Sequence, residues 1–165
     1  MSTPESQTLN VPSTLSSPSA LTLFLARAPA EEGVRKWAYN DATGKTVTCK
    51  PDGNLSIGIG INLEAGLDTD EIQFLIAHRA GLIEEQLQTF PWYAALPPGV
   101  QSVLIDIGFN EGVHGLLGFP HMIAALAKVP PDYETAADEC SIAKTNPKVD
   151  AQRYAPLREI LRSGR

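Results

Sequence analysis

The sequence contains few of the residues from which metal centres and disulfide scaffolds are built. In 165 residues there are two cysteines, Cys49 and Cys140, and three histidines, with no CxxC pair and no HExxH motif. We therefore expect no metal site, and no other cofactor is expected. The two cysteines are interpreted as reduced thiols, and a single disulfide between them is the alternative. The absence of a GxSxG motif argues against a serine hydrolase.

Long apolar runs are also missing. The segment ALTLFLA (20–26) is far shorter than the roughly 18 residues that span a bilayer. No basic stretch precedes it, so no secretory signal is expected. The formal net charge is −6, and we expect no nucleic-acid partner.

Positive charge is concentrated at the end of the chain. Residues 141–165 carry six Lys/Arg against two acidic residues. Arg158 and Arg162 are four positions apart and would share one face of a helix, next to Leu157 and Leu161. This basic C-terminal helix either makes weak contact with an anionic envelope or is an ordinary solvated face.

Segment composition predicts one domain behind a flexible tail. Residues 1–19 are rich in Ser, Thr and Pro and are expected to form the tail, and residues 20–165 the domain. A helix is predicted to start after Ser19 and to end at Gly33, with Pro29 straining or interrupting it. The short runs KTVTC and LSIGIGI, on either side of a turn at 51–54, predict an antiparallel hairpin.

The second half of the chain is helical in pattern. Asp68 and Glu71 form a predicted capping box, followed by apolar residues at helical spacing. Further helices are predicted at about 98–109, 118–128, 132–143 and 151–162. The sequence therefore predicts an α+β fold, with a small antiparallel hairpin lobe and a larger helical lobe.

The stretch EEGVRKWAYND (31–41) is the strongest candidate for chemistry. Glu32 and Asp41 are two carboxylic acids on either side of a short aromatic segment. Glycoside hydrolysis needs one acid that keeps its proton and one that stays ionised. A position at a helix C-terminus disfavours the charged form of Glu32, whereas Asp41 lies in a polar turn. On composition alone, two exposed carboxylates near turns remain the alternative.

The glycine pair in SIGIG (56–60) does not predict a nucleotide site. The third glycine of GxGxxG is missing, because position 63 is Leu, and no basic phosphate ligand is nearby. Gly58 and Gly60 fit a strand that another group approaches closely.

Together these segments resemble the phage-type lysozymes, the endolysin muramidases of glycoside hydrolase family 24. The matching residues span about 22–164. They are Glu32, Gly33, Tyr39, Asp41, Ile57, Gly58, Gly60, Phe109, Asn110, Gly112, Gly118, Phe119 and Arg153. Ser56 stands where the family usually has Thr, and Ile61 replaces a polar residue.

The resemblance implies a lysozyme-like fold with an active-site cleft between the two lobes. It also implies hydrolysis of the β-1,4 bond between N-acetylmuramic acid and N-acetylglucosamine in peptidoglycan. Glu32 would be the general acid, Asp41 the base or charge partner of the water, and Ser56 a holder of that water. The implied substrate-binding residues are Tyr39, Asn110, Arg153, Gly58 and Gly60.

Three alternatives stay open at this point. Glu31 competes with Glu32 for the acid role, although the spacing to Asp41 favours Glu32. A lytic transglycosylase needs the acid but no water-directing carboxylate, so Asp41 argues against it. A catalytically silent peptidoglycan-binding module would tolerate Ser56. The resemblance further implies a monomer that is made in the host cytoplasm and acts on periplasmic peptidoglycan after release by a separate membrane-lesion protein.

Overall fold

The computed structural model describes residues 18–32, 34, 37–39, 43, 45–47, 56–58 and 60–165, and for residues 31 and 32 it describes the backbone alone. Asp41, Cys49, the turn at 51–54 and the predicted tail up to residue 17 lie outside the described residues. The tail and the single-domain division therefore stay predictions, whereas Cys140 is a free, buried thiol, as the interpretation of reduced thiols requires.

Helix α1 spans Ala20–Glu32 and begins directly after Ser19, as predicted. The hydroxyl of Ser19 accepts the backbone N–H of Thr22 at 3.2 Å and so satisfies one of the free donors at the helix start. Pro29 lies inside the helix and does not interrupt it. The helix buries Phe24 and Ala28. Glu32 is its last residue, which confirms the prediction that this carboxylic acid lies at a helix C-terminus.

The strand pairing in the β segment, which we define as the described residues between positions 34 and 62, differs from the predicted hairpin. Strand β1 (Ser56–Ile57) pairs antiparallel with β2 (Ile61–Asn62), with Ile57 opposite Ile61. LSIGIGI is therefore not one strand paired with KTVTC, and that prediction is wrong. The physical reason is the backbone of Gly58 and Gly60, whose φ angles of 63° and 94° suit a turn and not a continuous strand.

A second short pairing lies earlier in the chain. Tyr39 and Thr46 form an isolated antiparallel bridge, and the N–H of Val47 donates to the carbonyl of Ala38 at 2.9 Å. Every described residue between positions 34 and 62 is exposed. The described part of the β segment therefore contributes little to the buried core.

Helix α2 spans Thr69–Leu87, and its predicted capping box is confirmed. The N–H of Glu71 donates to the Asp68 carboxylate, and the N–H of Asp68 donates to the Glu71 carboxylate, each at 2.8 Å. A one-turn 3₁₀ helix at Leu63–Ala65 precedes α2, and another follows it at Tyr93–Ala95.

The remaining helices depart from the predicted bounds. They are α3 (Pro98–Leu116), α4 (Pro120–Leu126), α5 (Tyr133–Glu139), α6 (Pro147–Val149) and α7 (Ala155–Ser163), with a π-helical turn at Asp150–Tyr154 before α7. The range of α3 joins two helical segments across a kink at Gly112, whose φ of 72° and ψ of 160° are not helical, and the first segment passes the predicted end at residue 109. Pro147 begins a helical turn, which suits a residue without an N–H.

The core lies within the helical part of the chain. Residues 102–108 of α3 are all buried, and α3 packs on α1, α2 and α7. The described residues are thus mostly helical with one two-stranded antiparallel sheet, which confirms the α+β class. None of the described helices is both long and apolar enough to cross a membrane.

Candidate functional site

A groove of about 250 Å³ joins the β segment to the helical part. Tyr39 contributes from the β segment, Phe109 from α3, and Leu67 from the loop before α2. The remaining lining comes from one face of α2: Ile72, Leu75, Ile76 and Arg79. Two aromatic rings in a mainly apolar groove form a surface on which the face of a sugar ring can lie.

The ring of Phe109 is held by α1. It packs against Phe24 with 5.5 Å between ring centroids and an interplanar angle of 46°. From Phe24, α1 continues for eight residues to Glu32, which is about 12 Å along a helix axis. The carboxyl of Glu32 and all of Asp41 lie outside the described residues, so their separation stays a prediction.

Asn110 is oriented by a buried carboxylate. Its amide nitrogen donates to the backbone carbonyl of Asp106 at 3.0 Å and to Asp106 Oδ1 at 3.3 Å. Since the nitrogen is used inside the protein, the amide oxygen is the atom that a ligand N–H or O–H can reach. Asp106 also binds Arg27, whose Nη1 donates to Ser102 Oγ at 3.0 Å. Sequence analysis missed this network.

Ser56, Gly58 and Gly60 lie together in the exposed hairpin. Ser56 faces Asn62 across the strand pair. A Cβ atom added at either glycine would meet nothing within 4 Å, so these two residues serve the backbone conformation and not a close approach by a described group. The predicted role of Ser56 in holding a water molecule is compatible with its exposure and stays a prediction.

Arg153 lies in the π-helical turn, next to Tyr154. The Tyr154 hydroxyl donates to Glu111 Oε1 at 3.1 Å, which ties this turn to the kink in α3. Burial and the adjacent Glu111 carboxylate raise the pKa of Tyr154, and the charge of Arg153 opposes that rise. Arg153 and the Asn110–Glu111 segment are thereby brought together, although they are more than 40 positions apart in sequence.

The basic C-terminal helix does not present two free charges. Arg158 makes a double contact with the buried Asp150, with N–O distances of 3.1 and 3.0 Å, and also donates to the carbonyl of Cys140. Arg162 pairs with Glu134, Asp138 and Glu159. Leu157 and Leu161 are buried, as a shared apolar face requires. Contact between this helix and an anionic envelope stays a prediction. Because Arg158 and Arg162 are both paired with carboxylates, neither offers an unpaired charge for that contact.

A second cavity, of about 340 Å³, lies between the start of α4 and the segment after α5. Its polar lining comes from His121, Glu139, Ser141, Lys144 and Thr145. Within the part of the chain that the structure describes, no group of three or more His, Cys, Asp or Glu side chains could hold a metal ion.

No protein-family model, curated protein or solved structure matches this chain.

Arg79 is a charged groove residue that sequence analysis missed. Ile72, Leu75, Ile76 and Arg79 follow the spacing i, i+3, i+4, i+7 of a single helix face. The sequence therefore contained a signal for Arg79, because it is a charged residue on an otherwise apolar helix face.

Proposed function

We propose that this protein is a muramidase that hydrolyses the β-1,4 bond between N-acetylmuramic acid and N-acetylglucosamine in peptidoglycan. The glycan would lie in the groove between the β segment and the helical part, which act as the two lobes of a lysozyme-like fold. No cofactor takes part in the proposed reaction.

The observation that carries the proposal is that Tyr39 and Phe109 line the same groove. Tyr39 precedes Asp41 by two residues, and Phe109 packs on the helix that ends at Glu32. The two segments that carry the candidate acids are thus linked to the same aromatic-lined surface. The reaction type comes from the resemblance of the sequence to the phage-type muramidases.

In the proposed reaction, the Glu32 carboxyl gives its proton to the leaving glycosidic oxygen. The ionised Asp41 activates a water molecule, and the hydroxyl of Ser56 helps to hold that water. If Asp41 acts through water, the two carboxyl groups should be about 6.5–9.5 Å apart and the anomeric configuration should invert. Asn110 would accept a hydrogen bond from a sugar hydroxyl or acetamido N–H, and Arg153 would contribute positive charge at the helical side.

Glu32→Gln tests the proposal, because an amide has no carboxyl proton to give. Lysis is measured as the fall in turbidity of permeabilised cells. Glu32→Gln should not lyse the cells, whereas the matched variant Glu31→Gln should lyse them as the wild type does. Mass analysis of the products should show reducing N-acetylmuramic acid ends, to which a water molecule has been added. Ends with a 1,6-anhydro ring would identify a lytic transglycosylase instead. Binding to walls without any cleavage by the wild type would identify a silent binding module.

A further inference from the structure

We infer that Arg79 makes the groove a carboxylate-binding site, so that the protein selects glycans that carry negative charge. The identity of the glycan rests on the proposed function, whereas the anion site itself rests on the geometry of the groove.

The position of Arg79 is the first argument. It lies one turn of α2 beyond Leu75 and Ile76 and lines the same cavity as Tyr39 and Phe109. Among the described residues that line the groove, Arg79 is the charged one. A group bound there would meet the aromatic and aliphatic surface with one part and the guanidinium with another.

Arg79 differs from other arginines in the described part of the chain in its ion pairing. Within the described parts of the chain, Arg27, Arg158 and Arg162 each pair with at least one carboxylate. None of the described carboxylates pairs with Arg79. An arginine that borders an apolar groove and pairs with none of the described carboxylates is suited to accept one from a ligand, since the planar guanidinium binds carboxylates through two parallel hydrogen bonds.

The third argument is the chemistry of the polymer. The lactyl group of muramic acid is a free carboxylate wherever the stem peptide has been removed. Where the peptide is present, that carboxyl is an amide and the peptide supplies carboxylates of its own. A polymer of N-acetylglucosamine alone has neither. Because the whole chain carries a net charge of −6, attraction for such a polyanion needs local positive charge, and Arg79 supplies it in the groove.

Binding by four glycan preparations tests the inference. Two are intact peptidoglycan fragments and amidase-treated strands, and the other two are the same materials with every carboxylate converted to a neutral amide. Affinity is measured by calorimetry at low salt in the Glu32→Gln background, which leaves the glycan uncut. Adding Arg79→Gln should weaken binding of at least one carboxylate-bearing preparation by roughly tenfold. Binding of the amidated preparations should stay unchanged.

Two further variants serve as controls. Lys148→Gln removes an exposed positive charge from α6, outside the groove, and should change no affinity. Arg79→Lys keeps the charge and should retain part of the selectivity, and it replaces Arg79→Gln if that variant fails to fold. A loss confined to amidase-treated strands identifies the lactyl carboxylate, and a loss confined to intact fragments identifies the stem peptide.

Equal losses on charged and amidated glycans would overturn the inference, because Arg79 would then only support the shape of the groove. Unchanged binding of all four preparations would overturn it as well. If the wild type cleaves no preparation but its binding depends on Arg79 and on the carboxylate, the muramidase proposal fails and the anion site stands.

Discussion

Arg27 and Asp106 form an ion pair between α1 and α3, with 3.0 Å between Nη2 and Oδ2 and only 2% of the Asp106 side chain exposed. The other oxygen of the same carboxylate accepts the amide nitrogen of Asn110. One buried carboxylate therefore fixes both the helix that ends at Glu32 and a candidate substrate-binding side chain.

Asp106→Asn should lower the free energy of unfolding by about 3 kcal/mol, because Arg27 would keep its charge in a partly buried place without a counter-charge. Asp138→Asn is the matched control, since the Asp138 side chain is 71% exposed in its pair with Arg162. It should cost less than about 1 kcal/mol. Urea denaturation measures both, and equal costs would contradict the proposed importance of burial.

Asp150 should make stability depend on acidity. Burial alone would raise its pKa, but hydrogen bonds from Arg158, Ser141 and the N–H of Ile142 outweigh burial and lower the pKa below its usual 3.8. A carboxyl with a depressed folded-state pKa stabilises the protein above its unfolded pKa, and this stabilisation is lost as the pH falls through the folded value.

The free energy of unfolding should therefore decline more steeply below about pH 4 in the wild type than in Asp150→Asn. Hydrogen bonds from Lys128 and Thr135 lower the pKa of Asp132 to about 2, so this carboxyl titrates in the same acidic range. Because Asp132 is present in both proteins, the difference between their denaturation curves isolates Asp150. Parallel curves would show that Asp150 does not titrate differently on unfolding.

Gly60→Ala and Gly81→Ala should have opposite effects. Gly60 has a φ of 94° in the hairpin turn, where an alanine is strained by about 1 kcal/mol or more, and the turn should be displaced. Gly81 lies inside α2 with open space at its Cβ position, so alanine should raise the free energy of unfolding by up to about 1 kcal/mol. If the protein is a muramidase, lysis should fall in Gly60→Ala alone. Full activity of that variant would separate the turn from function.

Ser56 should tolerate threonine better than alanine. Threonine keeps the hydroxyl and restricts its rotamer, whereas alanine removes the group that is proposed to hold the catalytic water. Initial rates of wall lysis compare the two variants, with circular dichroism as the check on folding. Similar rates for Ser56→Ala and Ser56→Thr would exclude Ser56 from water placement.

Local signals predicted the features that depend on neighbours in sequence. The start of α1, its end at Glu32 and the capping box of Asp68 and Glu71 follow from residues within a few positions of one another. The hairpin was misplaced because a turn signal at 51–54 and the alternating isoleucines of 55–61 both favour a longer strand. The positive φ angles of Gly58 and Gly60 were not foreseen.

The long-range contacts of the candidate site could not be predicted in the same way. Arg27 and Asp106 are 79 positions apart, and neither belongs to a motif. Tyr39 and Phe109 were each named as part of the family pattern, but their presence in one groove with Arg79 depends on how α2 packs on α3.

Every described residue from 34 to 62 is exposed, whereas residues 102–108 of α3 are buried. We therefore expect the first region to open locally more easily than α3. Few buried contacts hold the described residues of the β segment, so we expect their backbone amides to exchange with solvent deuterium while α3 stays folded. The amide of Val47, although hydrogen-bonded to the carbonyl of Ala38, should therefore exchange faster than the amides of α3. A ligand that bridges Tyr39 and Phe109 should slow that exchange, and part of its binding free energy would be spent on doing so.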